Sequence, residues 1–196
     1  MAVIARVFVA GRPRTKGHME PVHVRGTQGR PCRFGSAKDR PLAQAWMKTL
    51  GRALQDQLGI RMGKVDVPGK AVRRIARVDA EPYVGAVEVH CFFRFSREES
   101  RREAAEAGEI IPSHDTPWPT EKSGVGGIGD EDTLRRAVLD ALTRSGVIKD
   151  DSLSVGGMNY KRWCEPGEQA GVLIVVESAC DPYMLLQREL DWGGER

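Results

Sequence analysis

The pattern of apolar and polar residues predicts four strands in this chain. Valine and alanine at every second position of residues 3–9 are typical of a strand with one buried side. Residues 86–95 carry apolar side chains at both odd and even positions, which indicates a central strand of a sheet. A strand interrupted by two glycines is predicted over 152–163, and a second buried strand over 171–177. A β-sheet is therefore the expected centre of the fold.

Other parts of the chain are predicted to be helices or loops. Residues 41–58 begin with a proline, place leucines and a tryptophan at four-residue steps and precede Gly59, which predicts a helix with one face on the sheet. Residues 97–109 are dense in charge and predict a solvated helix. Residues 65–78 fit either an irregular segment or a weak strand, and the proline-rich and glycine-rich residues 111–129 predict a long loop.

The strongest helical pattern follows Asp130. Its apolar residues recur at i, i+3, i+4, i+7 and i+8, namely at Leu134, Ala137, Val138, Ala141 and Leu142. Asp132 or Thr133 is the predicted N-cap, and Gly146 is the predicted stop. This helix is the most secure element that the pattern predicts.

The composition is that of an ordinary globular protein. The length of 196 residues fits one domain with insertions or tails, and 40% hydrophobic with 29% charged residues excludes a disordered chain. The longest apolar run, 172–176, is far shorter than the roughly 20 residues of a membrane helix, and the N-terminus fits a strand better than a signal peptide. We therefore expect a cytoplasmic protein without a membrane partner. Four widely spaced cysteines favour buried or idle thiols over a disulfide framework or a zinc site: Cys32, Cys91, Cys164 and Cys180.

The charge is unevenly distributed along the chain. A net charge of only +3 excludes a protein that coats nucleic acid through bulk charge, so any such surface must be local. Residues 11–40 hold eight lysines and arginines against Glu20 and Asp39, a local charge of +6. This basic segment is either a phosphate-binding surface or a solvated loop.

Acidic residues cluster around the strongest helix. If the chain approaches this helix in an extended conformation, Asp130 and Asp132 project to one side and Glu131 points away. The short loop after the helix brings Asp150 and Asp151 to the next strand, where they can lie near the first pair. Clusters of carboxylates suit Mg²⁺ or Mn²⁺, which can support phosphodiester hydrolysis.

A plainer interpretation of the same residues is available. Acidic side chains at a helix start complement its dipole. Asp132, Arg136, Asp140 and Arg144 follow one another at four-residue steps, as in a solvated salt-bridge face. On spacing alone this interpretation is the simpler one, although Arg136 would also be placed to hold a phosphate.

The acidic segment resembles the signature of the RusA-type Holliday junction resolvases, approximately D-x-D-N-L-x-K-x-x-x-D-A-L followed by a glycine and an acidic pair. The matching residues are Asp130, Asp132, Leu134, Asp140, Ala141, Leu142, Gly146, Asp150 and Asp151. Residues 11–17 are similar to the Gly-x-Pro-x-x-Lys stretch after the first strand of many phage-type members. The resemblance extends in element order from residue 3 to residue 178.

The resemblance implies an α+β (mixed α/β) fold, a single domain in which two main helices pack on a small mixed sheet. The domain would span 1–178, with a long loop insertion at 97–129 and a tail at 179–196. It further implies an endodeoxyribonuclease that resolves branched DNA as a homodimer. Mg²⁺, with Mn²⁺ as a substitute, would be held by Asp130, Asp132 and Asp151, and no small-molecule cofactor is expected.

The resemblance also gives the basic residues a role. Arg12, Arg14, Lys16 and Arg136 are the predicted DNA contacts. Trp118 and Trp163 are candidates for stacking on bases, although packing within the protein is the commoner use of such residues. His114 is a candidate loop contact near the active site.

Two residues depart from the signature, and they leave alternatives open. Thr133 stands where the family usually has Asn, and Arg136 stands where it usually has Lys. The first alternative is therefore a branched-DNA-binding protein of the same fold with impaired catalysis. The second is a structural or interaction protein whose acidic residues only complement the helix dipole.

Overall fold

A five-stranded mixed sheet with two helices packed on one face forms the centre of the fold, which confirms the α+β class. The computed structural model describes residues 2–14, 21–22, 33–34, 40–67, 73–108, 119 and 130–180. The strands are β1 (Val3–Ala10), β2 (Pro21–Val22), β3 (Arg33–Phe34), β4 (Met62–Asp66), β5 (Arg73–Arg77), β6 (Val87–Phe95), β7 (Ser154–Gly156), β8 (Asn159–Trp163) and β9 (Gly171–Ser178). The helices are α1 (Arg40–Leu58), α2 (Arg97–Ala107) and α3 (Glu131–Arg144), and a 3₁₀ turn spans Asp151–Leu153.

Strand β6 is the central strand of the sheet, as its sequence predicted. It pairs antiparallel with β9 along one edge and parallel with β7 and β8 along the other, while β1 pairs antiparallel with the outer edge of β9. Alternate side chains of β6, from Val87 to Phe95, are fully buried, and those between them are half-buried. One face of the sheet therefore carries the core, and the other keeps contact with solvent.

Helices α1 and α3 bury their apolar stripes on the core face. Trp46, Leu50 and Leu54 of α1 lie in the same core cluster as the five apolar residues predicted for α3. Leu42, near the start of the α1 stripe, is 44% exposed. Both predicted helices are confirmed, together with the prediction that α1 packs on the sheet.

The segment that fitted an irregular structure or a weak strand is an antiparallel hairpin of β4 and β5. Arg77, at its end, donates one bifurcated hydrogen bond from Nε and one bond from Nη2 to the carboxylate of Asp79, and one from Nη1 to the backbone oxygen of Gly146. Hydrogen bonds from Arg77 lower the pKa of Asp79 to about 2. The hairpin is thereby attached to the end of α3.

Helix α2 confirms the charged helix predicted after β6. The Ser96 hydroxyl accepts a hydrogen bond from the backbone N–H of Glu99, and the helix ends at Gly108, whose φ of 68° is left-handed. The predicted loop at 111–129 lies outside the described residues apart from Pro119, and so does the tail from residue 181 onward. Across the helices that the structure describes, none combines the length and apolarity needed to cross a membrane.

Three of the four cysteines lie in the described part of the chain, and all three are free thiols. Cys91 is fully buried under the helices, whereas Cys164 and Cys180 are half-buried. Burial raises the pKa of the Cys91 thiol to about 12. Cys32 lies outside the described residues.

A two-point ion pair fixes the turn that follows β8. Arg162 donates from Nη1 and Nη2 to the two carboxylate oxygens of Glu168 at 2.6 and 2.7 Å, and Arg94 of β6 approaches the same carboxylate at 3.5 Å. The hydrogen bonds from Arg162 lower the pKa of Glu168 to about 2. The turn over residues 165–168 is therefore tied to two strands.

Replacing Leu54 with alanine should lower the free energy of unfolding by about 2–5 kcal/mol, because it leaves a cavity where the side chain is now 0% exposed. Leu42→Ala on the same helix is the matched control and should change this free energy by about 0.5 kcal/mol or less. Urea unfolding of both variants measures the difference. Similar losses in the two would contradict this placement of α1.

The Arg162–Glu168 pair should make stability depend on acidic pH. Because the pKa of Glu168 falls from an ordinary 4.5 to about 2 in the folded protein, its contribution is complete above pH 4.5 and is lost as the pH falls toward 2. Urea unfolding of Glu168→Gln across this range should therefore converge with the wild type at low pH and diverge from it above pH 4.5. Glu165→Gln, on the same turn, is the control and should run parallel to the wild type throughout.

Candidate functional site

The acidic segment begins α3 with Asp130 as the N-cap residue. Asp130 is extended, with φ −73° and ψ 149°, and its side chain makes no capping hydrogen bond. Instead, the Thr133 hydroxyl donates to the backbone oxygen of Asp130 at 2.8 Å. The predicted cap at Asp132 or Thr133 is therefore wrong, since both residues are already helical. The Asp130 carboxylate therefore takes no part in capping the helix.

The helical start also changes the directions of the neighbouring carboxylates. Glu131 and Asp132 belong to the first turn of α3, where successive side chains are about 100° apart. The extended geometry that would turn Glu131 away from Asp132 does not occur. Both carboxylates lie at the N-terminal end of the helix, where negative side chains complement the helix dipole.

An open cleft of about 600 Å³ lies beside this helix start. It is lined by Glu131, Asp132, Arg135, Arg136, Leu139 and Asn159. Two carboxylates and two guanidinium groups thus meet in one concave surface between α3 and β8. Of these residues, Asp132 and Arg136 were predicted from the sequence, and both are exposed.

Arg135 is the principal residue of the cleft that the sequence pattern missed. Its Nη2 donates to the Ser154 hydroxyl at 2.9 Å and to the backbone oxygen of Gly156 at 2.6 Å, and its Nη1 donates to the backbone oxygen of Gly157 at 3.4 Å. These bonds tie α3 to the connection between β7 and β8. The sequence does contain a signal for this contact. Arg135 follows a buried residue of α3, Leu134, and Gly156 and Gly157 have no side chains to cover their backbone oxygens.

Gly157 has to be glycine for this connection to form. Its φ of 119° is one that L side chains rarely adopt, and a Cβ there would clash with the backbone oxygen of Val89. The absence of a side chain lets the connection approach β6 closely. Arg135 therefore binds a rigid part of the backbone.

The later acidic pair is divided between two roles. The Asp150 carboxylate caps the 3₁₀ turn by accepting the backbone N–H of Ser152 at 2.9 Å, and hydrogen bonds from Ser152 lower its pKa. Asp151 is the first residue of the turn and is exposed. The turn contacts α3, the helix whose first turns line the cleft. Of the pair, Asp151 is the one whose carboxylate is not used as a cap.

The three predicted metal ligands are suitable in chemistry but are not assembled. Asp130, Asp132 and Asp151 offer the hard oxygen atoms that Mg²⁺ prefers. Over the described ranges, however, no three acidic, histidine or cysteine side chains lie close enough together to hold a metal ion. All three aspartates are exposed, so packing does not fix their carboxylates in place. A metal ion would therefore have to draw them together.

The predicted DNA contacts differ in accessibility. Arg12 is buried, with 8% of its surface exposed, and Arg14 is half-buried. Lys16 lies outside the described residues, as does most of the basic segment 11–40. Arg136 is exposed and lines the cleft, and it is therefore the most accessible of the three that the structure describes.

The aromatic candidates divide in a similar way. Trp163 is 5% exposed and belongs to the hydrophobic core, with the Arg97 guanidinium 4.9 Å from its ring centre. Its side chain packs within the protein, as the commoner interpretation held. Trp118 and His114 lie outside the described residues.

Comparison of this chain with protein-family models and with curated proteins found no match. The resemblance of residues 130–151 to the resolvase signature thus stays a hypothesis carried by the motif. The geometry of the cleft is independent of that hypothesis.

Arg135→Met should lower the free energy of unfolding by about 1.5–3 kcal/mol, because it removes charge-assisted hydrogen bonds to partly buried acceptors. The neighbouring Arg136→Met removes the same charge from an exposed position and should change it by about 0.5 kcal/mol or less. Urea unfolding measures both variants. An Arg136→Met loss as large as that of Arg135→Met would contradict the anchoring role.

Proposed function

We propose that this chain is a Mg²⁺-dependent, structure-selective endodeoxyribonuclease that resolves Holliday junctions or other branched DNA by phosphodiester hydrolysis. The observation that carries the proposal is the cleft at the start of α3, where carboxylate and guanidinium groups share one open surface. Asp130 and Asp151 are exposed at the two chain segments that adjoin this helix. The motif resemblance adds to this support.

The residues of the cleft divide the work of the proposed reaction. Arg136 can hold a DNA phosphate through the paired N–H groups of its guanidinium. Asp130, Asp132 and Asp151 would hold the metal, which supplies neutralisation of phosphate charge and an activated water. Arg135 is bound to backbone oxygens and therefore positions α3.

We propose that the basic segment 11–40, outside the cleft, binds the DNA. The net +6 of residues 11–40 suits contacts with phosphates, which give a salt-sensitive affinity without base reading. Arg12 is a weaker candidate than Arg14, because Arg12 is buried and Arg14 is half-buried. A junction requires two related cuts, and a homodimer with two-fold symmetry supplies two matching sites.

A branched-DNA-binding protein without cleavage is the second candidate. The Thr133 hydroxyl is occupied by the backbone oxygen of Asp130 at the position where the resolvase signature usually has Asn. Arg136 also replaces the usual Lys, and the two cations are not equivalent at a tight site. Binding of junctions without incision in Mg²⁺ or Mn²⁺ would favour this candidate. A purely structural role instead predicts that neither metal nor DNA raises the melting temperature.

The wild-type protein should cut labelled synthetic four-way junctions into paired products when Mg²⁺ is added. The rate should fall by more than about 100-fold in each of three variants, Asp130→Asn, Asp132→Asn and Asp151→Asn. Each variant removes a direct metal ligand, and this loss lowers activity more than the loss of a residue that only hydrogen-bonds a ligand. Asp56→Asn, at an exposed position on α1, is the matched control and should cut at the wild-type rate. Gel-resolved time courses give the rates.

Junction binding by each variant, measured by gel shift in Ca²⁺, separates loss of cleavage from loss of binding. Variants that bind but do not cut support the assignment of the ligands. Paired incision that persists in Asp130→Asn would overturn that assignment. If the wild type cuts no junction in either Mg²⁺ or Mn²⁺, the proposed nuclease activity would be overturned.

A further inference from the structure

The face of the sheet opposite α1 and α3, called here the open face, is a second concave surface. It forms a groove of about 670 Å³ lined by side chains of β1, β6, β8 and β9 and by Met158. None of its half-buried apolar residues belongs to the buried core cluster. The sequence signature and the proposed active site do not involve this face.

Apolar side chains cross the middle of the open face in one row. Strand pairing places Phe8, Leu173, Phe92 and Tyr160 at the same level of four adjacent strands. Next to this row Met158 is 61% exposed, a high value for a large apolar side chain. A contiguous apolar surface of this kind is typical of a protein interface.

The two ends of the open face carry opposite charge. At one end Glu88 and Glu177 are paired in register, which gives a charge of −2. At the other end Arg94 and Arg162 are paired in register and share Glu168, which leaves a charge of +1. The charge therefore reverses along the length of the strands, across the apolar row.

This charge pattern is complementary to a second copy of itself if the two copies are related by a two-fold axis that runs across the strands, between the two sheets. Cys91 lies midway between Glu88 and Arg94 on β6, and it is in register with Ile174 of β9 and Asn159 of β8. If the axis runs along this line between two stacked sheets, Glu88 lies over the partner's Arg94. Phe92 then lies over the partner's His90 and Leu173 over the partner's Val175, so each apolar row packs just beside the axis, with the sheets about 10 Å apart.

Other occupants and other arrangements fit less well. An axis along the strands would place acidic ends on acidic ends. Among the described residues, the formal charges of Arg6, Glu88, Arg94, Arg162, Glu168 and Glu177 on the open face sum to zero, so this part of the face lacks the positive surplus that a nucleic acid requires. We infer that the open face is the homodimer interface, in which a second copy of this chain stacks face to face with its strands reversed.

This inference rests on the homodimer of the proposed function and names its interface. It is tested by molecular mass in the absence of DNA and metal, so its failure and the failure of the nuclease are distinguishable. Sedimentation equilibrium of the full chain should give a dimer that dissociates on dilution. A wild-type monomer at every concentration would overturn the interface and leave the face to another occupant.

Charge reversal tests the orientation of the two copies. Glu88→Arg and Arg94→Glu should each weaken the dimer by at least tenfold, roughly, because each brings like charges together twice in the complex. An equimolar mixture of the two variants should form a dimer again. In that heterodimer the introduced arginine faces the introduced glutamate, and the native Arg94 of one chain faces the native Glu88 of the other.

The controls separate an interface effect from misfolding. Arg52→Glu on α1 and Glu106→Arg on α2 reverse charges at exposed positions away from the open face and should leave the dimer unchanged. Met158→Glu changes an exposed side chain at the groove and should weaken the dimer while the circular dichroism spectrum stays native. Dimers that resist all three open-face variants, or single variants that fail to pair when mixed, would overturn the proposed arrangement.

Discussion

The pairing of β6 along both edges is the constraint on which the rest of this structure depends. Its antiparallel partner β9 and its parallel partners β7 and β8 fix the direction of every alternate side chain. The side chains directed toward α1 and α3 are fully buried, from Val87 to Phe95. Because the strand period is two, a shift of one residue would exchange the core face for the open face. The location of both surfaces described above follows from this register.

The candidate site depends on β6 through the connection between β7 and β8. This connection passes so close to β6 that Gly157 has no room for a side chain. Its carbonyl oxygens then receive Arg135, which fixes the first half of α3 against the sheet. The exposed carboxylates at the helix start are thus attached to a rigid base, although their own side chains are not fixed. The start of α3 thus combines an anchored backbone with carboxylates that packing does not hold in place.

Much of the fold could be predicted from the sequence, because its main elements have strong local periods. The buried stripes of α1 and α3 and the alternation in β1, β6 and β9 are each contained in one segment. The β4–β5 hairpin is held by cross-strand bonds and by Arg77, which no local pattern records. The cap of α3 was misplaced because Asp130, Asp132 and Thr133 are all residues that cap well.

The site itself was less accessible to prediction from the sequence. Asp132 and Arg136 were found by their spacing, and both line the cleft. Arg135 bonds to backbone carbonyl groups about twenty residues farther along the chain, a relation that residue types do not reveal. The predicted metal ligands stay a prediction, since the donor atoms are present but have not converged.

The order of strands in the sheet also has a consequence for how the protein is made. The first described strand, β1, pairs within the described sheet only with β9, the last described strand, and β9 separates it from β6. On a ribosome the apolar residues of β1 would emerge long before their partner is synthesised. Closing so long a loop carries a large entropic cost, so completion of the sheet edge is expected to be a late and slow event in folding. During this interval an unpaired strand edge is available for aggregation, and chaperones that bind apolar extended segments would have their clearest target there.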